Sequence, residues 1–522
     1  MRQYVVSGFP GLSDSEGLTA VALAKAVSRT VIVLLSLVSV GAAGVDQPLV
    51  EAVKRGNIDT VRAMVAKRAD VNAAEVDGTT ALHWAAHFDN LAAADLLIRA
   101  GANVKAASRY GVTPLWLACI NGSEAMVERL LGAGADPNTT MPEGDTALMT
   151  AARTGNVGAV KALLVRGAVV NARENWKGQT ALMWAAAGNN AATLEALIEA
   201  GADIQARTKY KPRPLARTGG IGREAERNSD VTKQAGFTAL HFAVRAGATD
   251  AVKVLLKAGA TVRDTSSDGT GVLVLAIAST HYELADFLLE QGADPNGVPD
   301  GTPGQGWTPL HQIAYTRRPN TGVNNPGLVP KDKLDSLTLA RKLLARGANP
   351  NLEATRNPDT VNVGRKRLTE VGATPFWVAA QTLDLPYMRL LVEHGADPLR
   401  PNSTGDTPLL AASGLVIEKP GESPGTPEEV AAAIKFCLEH GADPTTVDDD
   451  GNTALHGVAV WGSNAAVEML VAAGAKLDVK NNRDQTPWRI AEGAVFEDAV
   501  LAQPQTAALL RRLMEERGLK VE

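Results

Sequence analysis

The sequence predicts an all-α fold, a solenoid of about twelve helix-turn-helix units interrupted by four insertions. Three observations carry this. First, a Gly-x-Thr-(Ala/Pro)-Leu phrase begins at Gly78, Gly111, Gly144, Gly178, Gly236, Gly306, Gly372 (with Phe376 in the Leu place), Gly405 and Gly451, with a weaker form at Gly269. Uninterrupted neighbours lie 33 or 34 residues apart, and the longer spacings are that period plus an insertion. Second, Gly-Ala-(Asp/Asn) closes the second apolar block of a unit at Gly101, Gly134, Gly201, Gly292, Gly347, Gly395 and Gly441, with degenerate copies at Gly167, Gly259 and Gly474. Third, only 4% of residues are aromatic, so the apolar mass is mainly Ala, Leu and Val. Such small side chains suit thin, closely stacked helices better than one thick core.

At the N-terminus, Lys25 and Arg29 precede an apolar run from Thr30 to Ala42, too short to span a bilayer as a helix. Small residues at Gly41, Ala42, Ala43 and Gly44 offer a signal peptidase site, so residues 1–44 read as an export signal. Its polar lead is long. Residues 1–17 fit either a true leader or an overcalled start, with initiation near Val21 or Val27. A buried first helix is the rival reading, but the run lacks a polar face at helical period. Residues 45–522 then form the solenoid, with units starting near 45, 78, 111, 144, 178, 236, 269, 306, 372, 405, 451 and 484.

One unit can be read residue by residue. Thr is an N-cap whose hydroxyl accepts from free backbone N–H groups. Pro or Ala follows at the first helical position, where Pro loses no hydrogen bond. Leu-x-x-Ala-Ala continues a short helix, a Gly or Asn turn follows, and a second helix ends at a Gly suited to a left-handed cap. The first unit carries Gln47 and Glu51 where internal units are Thr and apolar, and the last ends in RRLMEERGLKVE; both read as caps.

By its period, its T-P-L-H-x-A phrase and its G-A-D-x-N phrase, the region from about 45 to 520 resembles the ankyrin repeat family. The resemblance implies helix pairs with β-hairpin fingers. It also implies that His83, His241, His311 and His456, at the T-P-L-H position, make structural hydrogen bonds between adjacent units and are not catalytic. Trp116, Met149, Met183 and Trp377 stand at that position elsewhere. Family binding positions flank the finger glycine and follow the Ala-Ala pair. Here they hold Phe88, Tyr110, Trp176, Phe237, Trp307, Tyr315 and Trp461, which are expected to be exposed and to contact a partner.

Two insertions, 211–235 and 353–371, follow a Gly-Ala-x phrase and should leave the finger edge. Two more, 319–333 and 414–426, fall between paired helices. Net charge is −5, which gives no nucleic-acid signature. Against that background the segment 207–233 is basic, through Arg207, Lys209, Lys211, Arg213, Arg217 and Arg223 among others. Arg365, Lys366 and Arg367 add to the second finger-side insertion. These predict contacts with an anionic partner, while solvated loops are the plainer alternative.

Cys119 and Cys437 fall at apolar positions about seven units apart, too far for a disulfide. His83 and His87 have the i, i+4 spacing of a helical metal site but no third ligand nearby, so no metal and no cofactor are expected. No phosphate loop, nucleophile elbow or carboxylate pair appears. The expectation is therefore a monomeric, exported, periplasmic or secreted scaffold, not an enzyme, that binds another protein, with no nucleic acid and no membrane span. The basic insertions predict an acidic partner, and similarity to secreted bacterial ankyrin repeat proteins implies a periplasmic redox protein as one partner class. The alternatives are a hydrolase-like site built at the insertions, or a passive envelope-binding spacer.

Overall fold

The computed structural model describes residues 48–209, 236–297, 306–318, 330–355, 369–415, 425–494 and 502–521. Residues 1–44, and most of each of the four insertions, lie outside these. The chain divides into two compact bodies, the first holding the described residues up to 261 and the second those from 262 onward.

The first body is six helix pairs: α1 (Pro48–Lys54) with α2 (Ile58–Ala66), α3 (Ala81–His87) with α4 (Leu91–Arg99), α5 (Pro114–Asn121) with α6 (Glu124–Gly132), α7 (Ala147–Thr154) with α8 (Val157–Val165), α9 (Ala181–Ala187) with α10 (Ala191–Glu199), and α11 (Ala239–Arg245) with α12 (Thr249–Lys257). The second body is six more: α13 (Val272–Ala278) with α14 (Tyr282–Glu290), α15 (Pro309–Arg317) with α16 (Ser336–Ala345), α17 (Pro375–Gln381) with α18 (Leu385–Glu393), α19 (Pro408–Ala412) with α20 (Pro427–Glu439), α21 (Ala454–Trp461) with α22 (Asn464–Ala472), and α23 (Pro487–Ala491) with α24 (Pro504–Glu516). In each body the first helix of a pair packs on the first helix of the next, and second helices do likewise. Each body is thus a one-dimensional stack, and each pair buries its apolar stripe only on its neighbours.

The caps follow the residues that predict them. Thr80, Thr113, Thr146, Thr180, Thr238, Thr308, Thr374, Thr407, Thr453 and Thr486 are all N-caps with extended backbone. The Thr113 hydroxyl, for example, accepts from the Trp116 N–H at 3.2 Å. The weak unit at Gly269 places Gly271 at the cap, with no side chain to offer. Second helices end at glycines such as Gly101, whose φ of +89° few other residues tolerate.

The expected β-hairpin fingers are slighter than a hairpin. Among the described residues they are tight turns, and only four close with an isolated antiparallel bridge: Ala74 with Thr80, Thr140 with Thr146, Thr265 with Gly271, and Val447 with Thr453. Two or three residues separate turn from cap, too few for a ladder to extend. The turns are nonetheless tightly seated, for a side-chain carbon on Gly372 (φ +78°) would come 2.5 Å from the Ser403 nitrogen.

Hydrogen bonds then link pair to pair. The Thr80 N–H donates to His83 Nδ1 at 3.1 Å, and His83 Nε2–H donates to the Val112 carbonyl in the next pair at 3.0 Å. His311 does the same between Thr308 and Ala373, and His456 between Thr453 and Gln485. Because a carbonyl can only accept, the proton sits on Nε2. His241 Nδ1 is likewise capped by the Thr238 N–H at 3.3 Å. Trp377 replaces the imidazole with an indole that donates to the Asp406 carbonyl at 2.9 Å.

A second ladder explains the Asn of the G-A-D-x-N phrase. Asn72 donates to the Gly101 carbonyl at 3.2 Å and accepts from the Asn103 N–H at 2.7 Å. Asn138, Asn171, Asn296 and Asn351 repeat this on Gly167, Gly201, Gly347 and Gly395.

The stems of the insertions are pinned. Across 210–235, the Thr208 N–H donates to Phe237 and the Gly236 N–H to Thr208, at 3.0 and 3.1 Å. Across 356–368, Ala354 exchanges backbone bonds with Gly372 and Ala373. After α15, Arg317 grips Asp384 by two nitrogens, at 2.5 and 3.1 Å, and also donates to Ser336; Arg318 reaches Leu383 and Glu429. The long connection between α23 and α24, residues 492–503, was not among the expected insertions. Its end is held by Gln503, whose amide donates to the Val460 carbonyl at 3.0 Å.

Both cysteines are buried free thiols, pushed up to about 12 by burial, so they behave as small core residues. No described helix is long and apolar enough to cross a membrane.

Asp384 is almost fully buried, so removing its partner strands a charge. Arg317→Ala should cost about 3–5 kcal/mol in urea unfolding. Burial also pulls His311 down to about 4 from 6.5. The unfolded chain therefore binds a proton that the folded chain refuses between these values. Stability is whole above pH 6.5 and falls as pH drops from 6.5 towards 4, by roughly 3 kcal/mol for this one group. The midpoint of urea unfolding against pH checks this, and His311→Gln should flatten the slope by about one proton.

Candidate partner-binding surface

The seven aromatics expected at the surface separate into two groups. Phe88, Tyr110 and Trp176 are 52%, 60% and 56% exposed, and all three belong to the first body. Tyr110 and Trp176 stand at finger turns, each one or two residues before the turn glycine. Val76, on a neighbouring turn of that body, is also exposed. Cations accompany them. The Lys177 ammonium lies 4.4 Å from the Trp176 ring centre, and Arg109 donates to the Val76 carbonyl at 3.0 Å.

Phe88 follows the end of α3 and stacks on Trp84, with centroids 5.7 Å apart. Trp84 is itself fixed. Its indole donates to Glu75 at 2.7 Å, Glu75 pairs with Lys54, and the Lys54 ammonium sits over the indole at 4.6 Å. Phe88 therefore projects from a rigid, charge-balanced base. His87 packs edge-on against Trp84, and burial lowers its pKa. Among the described residues no group of three or more His, Cys, Asp or Glu is placed to hold a metal ion.

The other four depart from the expected exposure. Phe237 is only 4% exposed and packs on His241 and Phe242. The backbone pairing of Thr208 with Phe237 at the insertion stem draws it inward. Trp461 is 6% exposed, with Gly414 and Gly425 close against it; a side-chain carbon on Gly414 would fall 2.0 Å from its indole nitrogen. Trp307 and Tyr315 are half-buried against each other, edge to face at 5.4 Å. Burial and the nearby Glu370 carboxylate push the Tyr315 hydroxyl up to about 12. In each case the residue adjoins an insertion, and its stem or flank covers a position that a plain repeat leaves open.

Of the basic residues, Arg207 and Lys209 are exposed at the last described finger of the first body. Arg207 donates to the Gly236 carbonyl at 2.9 Å. Lys211, Arg213, Arg217, Arg223, Arg365, Lys366 and Arg367 lie outside the described residues.

Trp84, Arg153 and Trp184 were not anticipated. They lie on first helices, one or four residues beyond the T-P-L-H position. The sequence carried little signal for them: other units hold residues as varied as Leu117, Thr150, Phe242 and Gln312 at the position of Trp84 and Trp184, and His87, Ile120, Ala187 and Tyr315 at that of Arg153.

Models of ankyrin repeats match residues 49–141, 115–208 and 221–299, and a second such model matches 430–471, together more than half of the chain. Human ankyrin repeat and SOCS box protein 16 is 30% identical over 273 residues, 52% of this chain and 51% of that protein. Osteoclast-stimulating factor 1 of Sus scrofa is 38% identical over 69 residues, 13% of this chain and 32% of that protein. The chain thus spans about half, or less, of the length of these relatives. Among solved structures, the human ASB11 ankyrin repeat domain is 23% identical, with a TM-score of 0.36, covering 44% of this chain and 92% of that one.

Truncating an exposed finger aromatic and a covered one should differ in kind. Trp176→Ala should change unfolding free energy by no more than about 0.5 kcal/mol. Trp461→Ala should cost about 3–5 kcal/mol. Chemical denaturation of the two variants checks the assignment.

Proposed function

Because the chain belongs to the ankyrin repeat family, we propose that it is a non-catalytic scaffold that docks another protein on the finger side of its first body. One observation carries this: Phe88, Tyr110 and Trp176 are exposed although the stack beneath them is complete without them. Large aromatics left in water by a self-sufficient core are what association buries, since they supply most of an interface's energy. Cations at the same turns, Arg109, Lys177, Arg207 and Lys209, favour an acidic partner and would raise its association rate. The apolar run at 30–42, read as an export signal, supports a partner in the periplasm or outside the cell. A hydrolase-like site is less well supported. The aromatics and cations converge on an open surface, and no nucleophile with its base has been identified there.

The test is affinity capture from an extracytoplasmic fraction, comparing the wild-type chain with Tyr110→Ala/Trp176→Ala. The double variant should retain its unfolding midpoint and lose at least tenfold in captured partner. Equal capture by both would overturn the reading. Raising salt should slow association more than it speeds dissociation.

A further inference from the structure

Three successive first helices of the first body, α5, α7 and α9, carry buried N–H donors without an acceptor among the described residues: Trp116 Nε1, Arg153 Nε and Trp184 Nε1. Among the other described indoles, Trp461 Nε1 in the second body also lacks an acceptor, while two are satisfied. Trp84 donates to Glu75, and Trp377 to the Asp406 carbonyl. Orphaned buried donors are uncommon and call for a physical reason.

Arg153 is the centre of the group. Its guanidinium lies 5.5 Å from the Trp184 ring centre, and no hydrogen bond or ion pair joins it to a described residue. Burial lowers its pKa, offset in part by the charge of Asp145. Asp145 is close enough to be felt but does not close an ion pair. Its own pKa is raised by burial and by Glu174, against the pull of Arg153. Glu174 offers Arg153 nothing, because its carboxylate is occupied by the N–H groups of Trp176, Lys177 and Gln179. The result is a partly desolvated cation, over one indole whose own N–H is unsatisfied, and with no carboxylate of its own.

We propose that Arg153, beside Trp184 and on the helix between those of Trp116 and Trp184, receives a carboxylate side chain from an acidic polypeptide partner. A guanidinium binds a carboxylate through two parallel hydrogen bonds, and its charge is worth more where water is scarce. The polypeptide, not a free small acid, is favoured by the surroundings. Tyr110 and Trp176, exposed on finger turns of the same body, extend the aromatic surface beyond what a single carboxylate covers, and Arg109 and Lys177 add further positive charge at those turns. This rests on the protein-binding reading and names the chemistry of the partner.

The probe is a fluorescein-labelled Glu/Tyr copolymer titrated with the full chain, followed by anisotropy, with a Lys/Tyr copolymer and free glutarate as controls. The wild-type chain should bind the Glu/Tyr probe and neither control. Arg153→Gln should weaken binding at least tenfold without lowering the unfolding midpoint, because the cation has no internal partner. Arg153→Lys should fall between, and Asp145→Asn, which removes the competing carboxylate, should tighten binding severalfold. The slot is overturned if Arg153→Gln binds as wild type does, if it lowers the midpoint as a structural residue would, if Asp145→Asn does not tighten binding, or if glutarate binds as tightly as the copolymer. A wild-type chain that ignores the acidic probe, while Tyr110→Ala/Trp176→Ala still abolishes partner capture, overturns the carboxylate slot and leaves the docking reading standing.

Discussion

The bond from one pair's T-P-L-H position to the next pair's backbone is the constraint on which the rest depends. His83, His311 and His456 each spend one ring nitrogen on their own N-cap backbone and the other on the carbonyl just before the next cap. A helix start is thereby welded to its successor. A single pair has no interior of its own, since α3 buries Leu82, Ala85 and Ala86 only because α1 and α5 lie against it. Phasing the caps phases the apolar stripes, and the Asn72-type ladder does the same at the other end of each pair.

That division of labour frees other positions. The link is made by backbone, Thr, His and Asn, and the stacking by Ala and Leu. Finger turns and the outward positions of first helices are therefore under no structural obligation. The first body uses them for Phe88, Tyr110 and Trp176 in water and for Arg153 without a counter-ion. Neither arrangement helps the stack, and a half-buried unpaired cation works against it. The proposed docking would account for both.

The second body uses the same positions differently. Its insertions are anchored at their stems by Arg317 on Asp384, Arg318 on Glu429 and the backbone pairing of Ala354 with Gly372 and Ala373. Trp307, Tyr315 and Trp461 pack near these segments. An aromatic that would otherwise face a partner there becomes part of the support for an insertion, so similar sequence phrases have different surroundings in the two bodies.

The sequence alone determined the ten threonine caps and the twelve pairs, because capping, helix termination and apolar periodicity act within one 33-residue unit and leave a local imprint. It also determined that the T-P-L-H histidines are architectural, since a chemical role would not recur at four equivalent positions and give way to Trp or Met at others. Exposure was decided only by tertiary structure. Whether Phe237 or Trp461 meets water depends on segments that return from outside the unit, and no local pattern records that. The unpaired state of Arg153 is of the same kind. Asp145 and Glu174 are both nearby acids in sequence, and only the fold shows that one is spent on backbone N–H groups while the other does not close the bond.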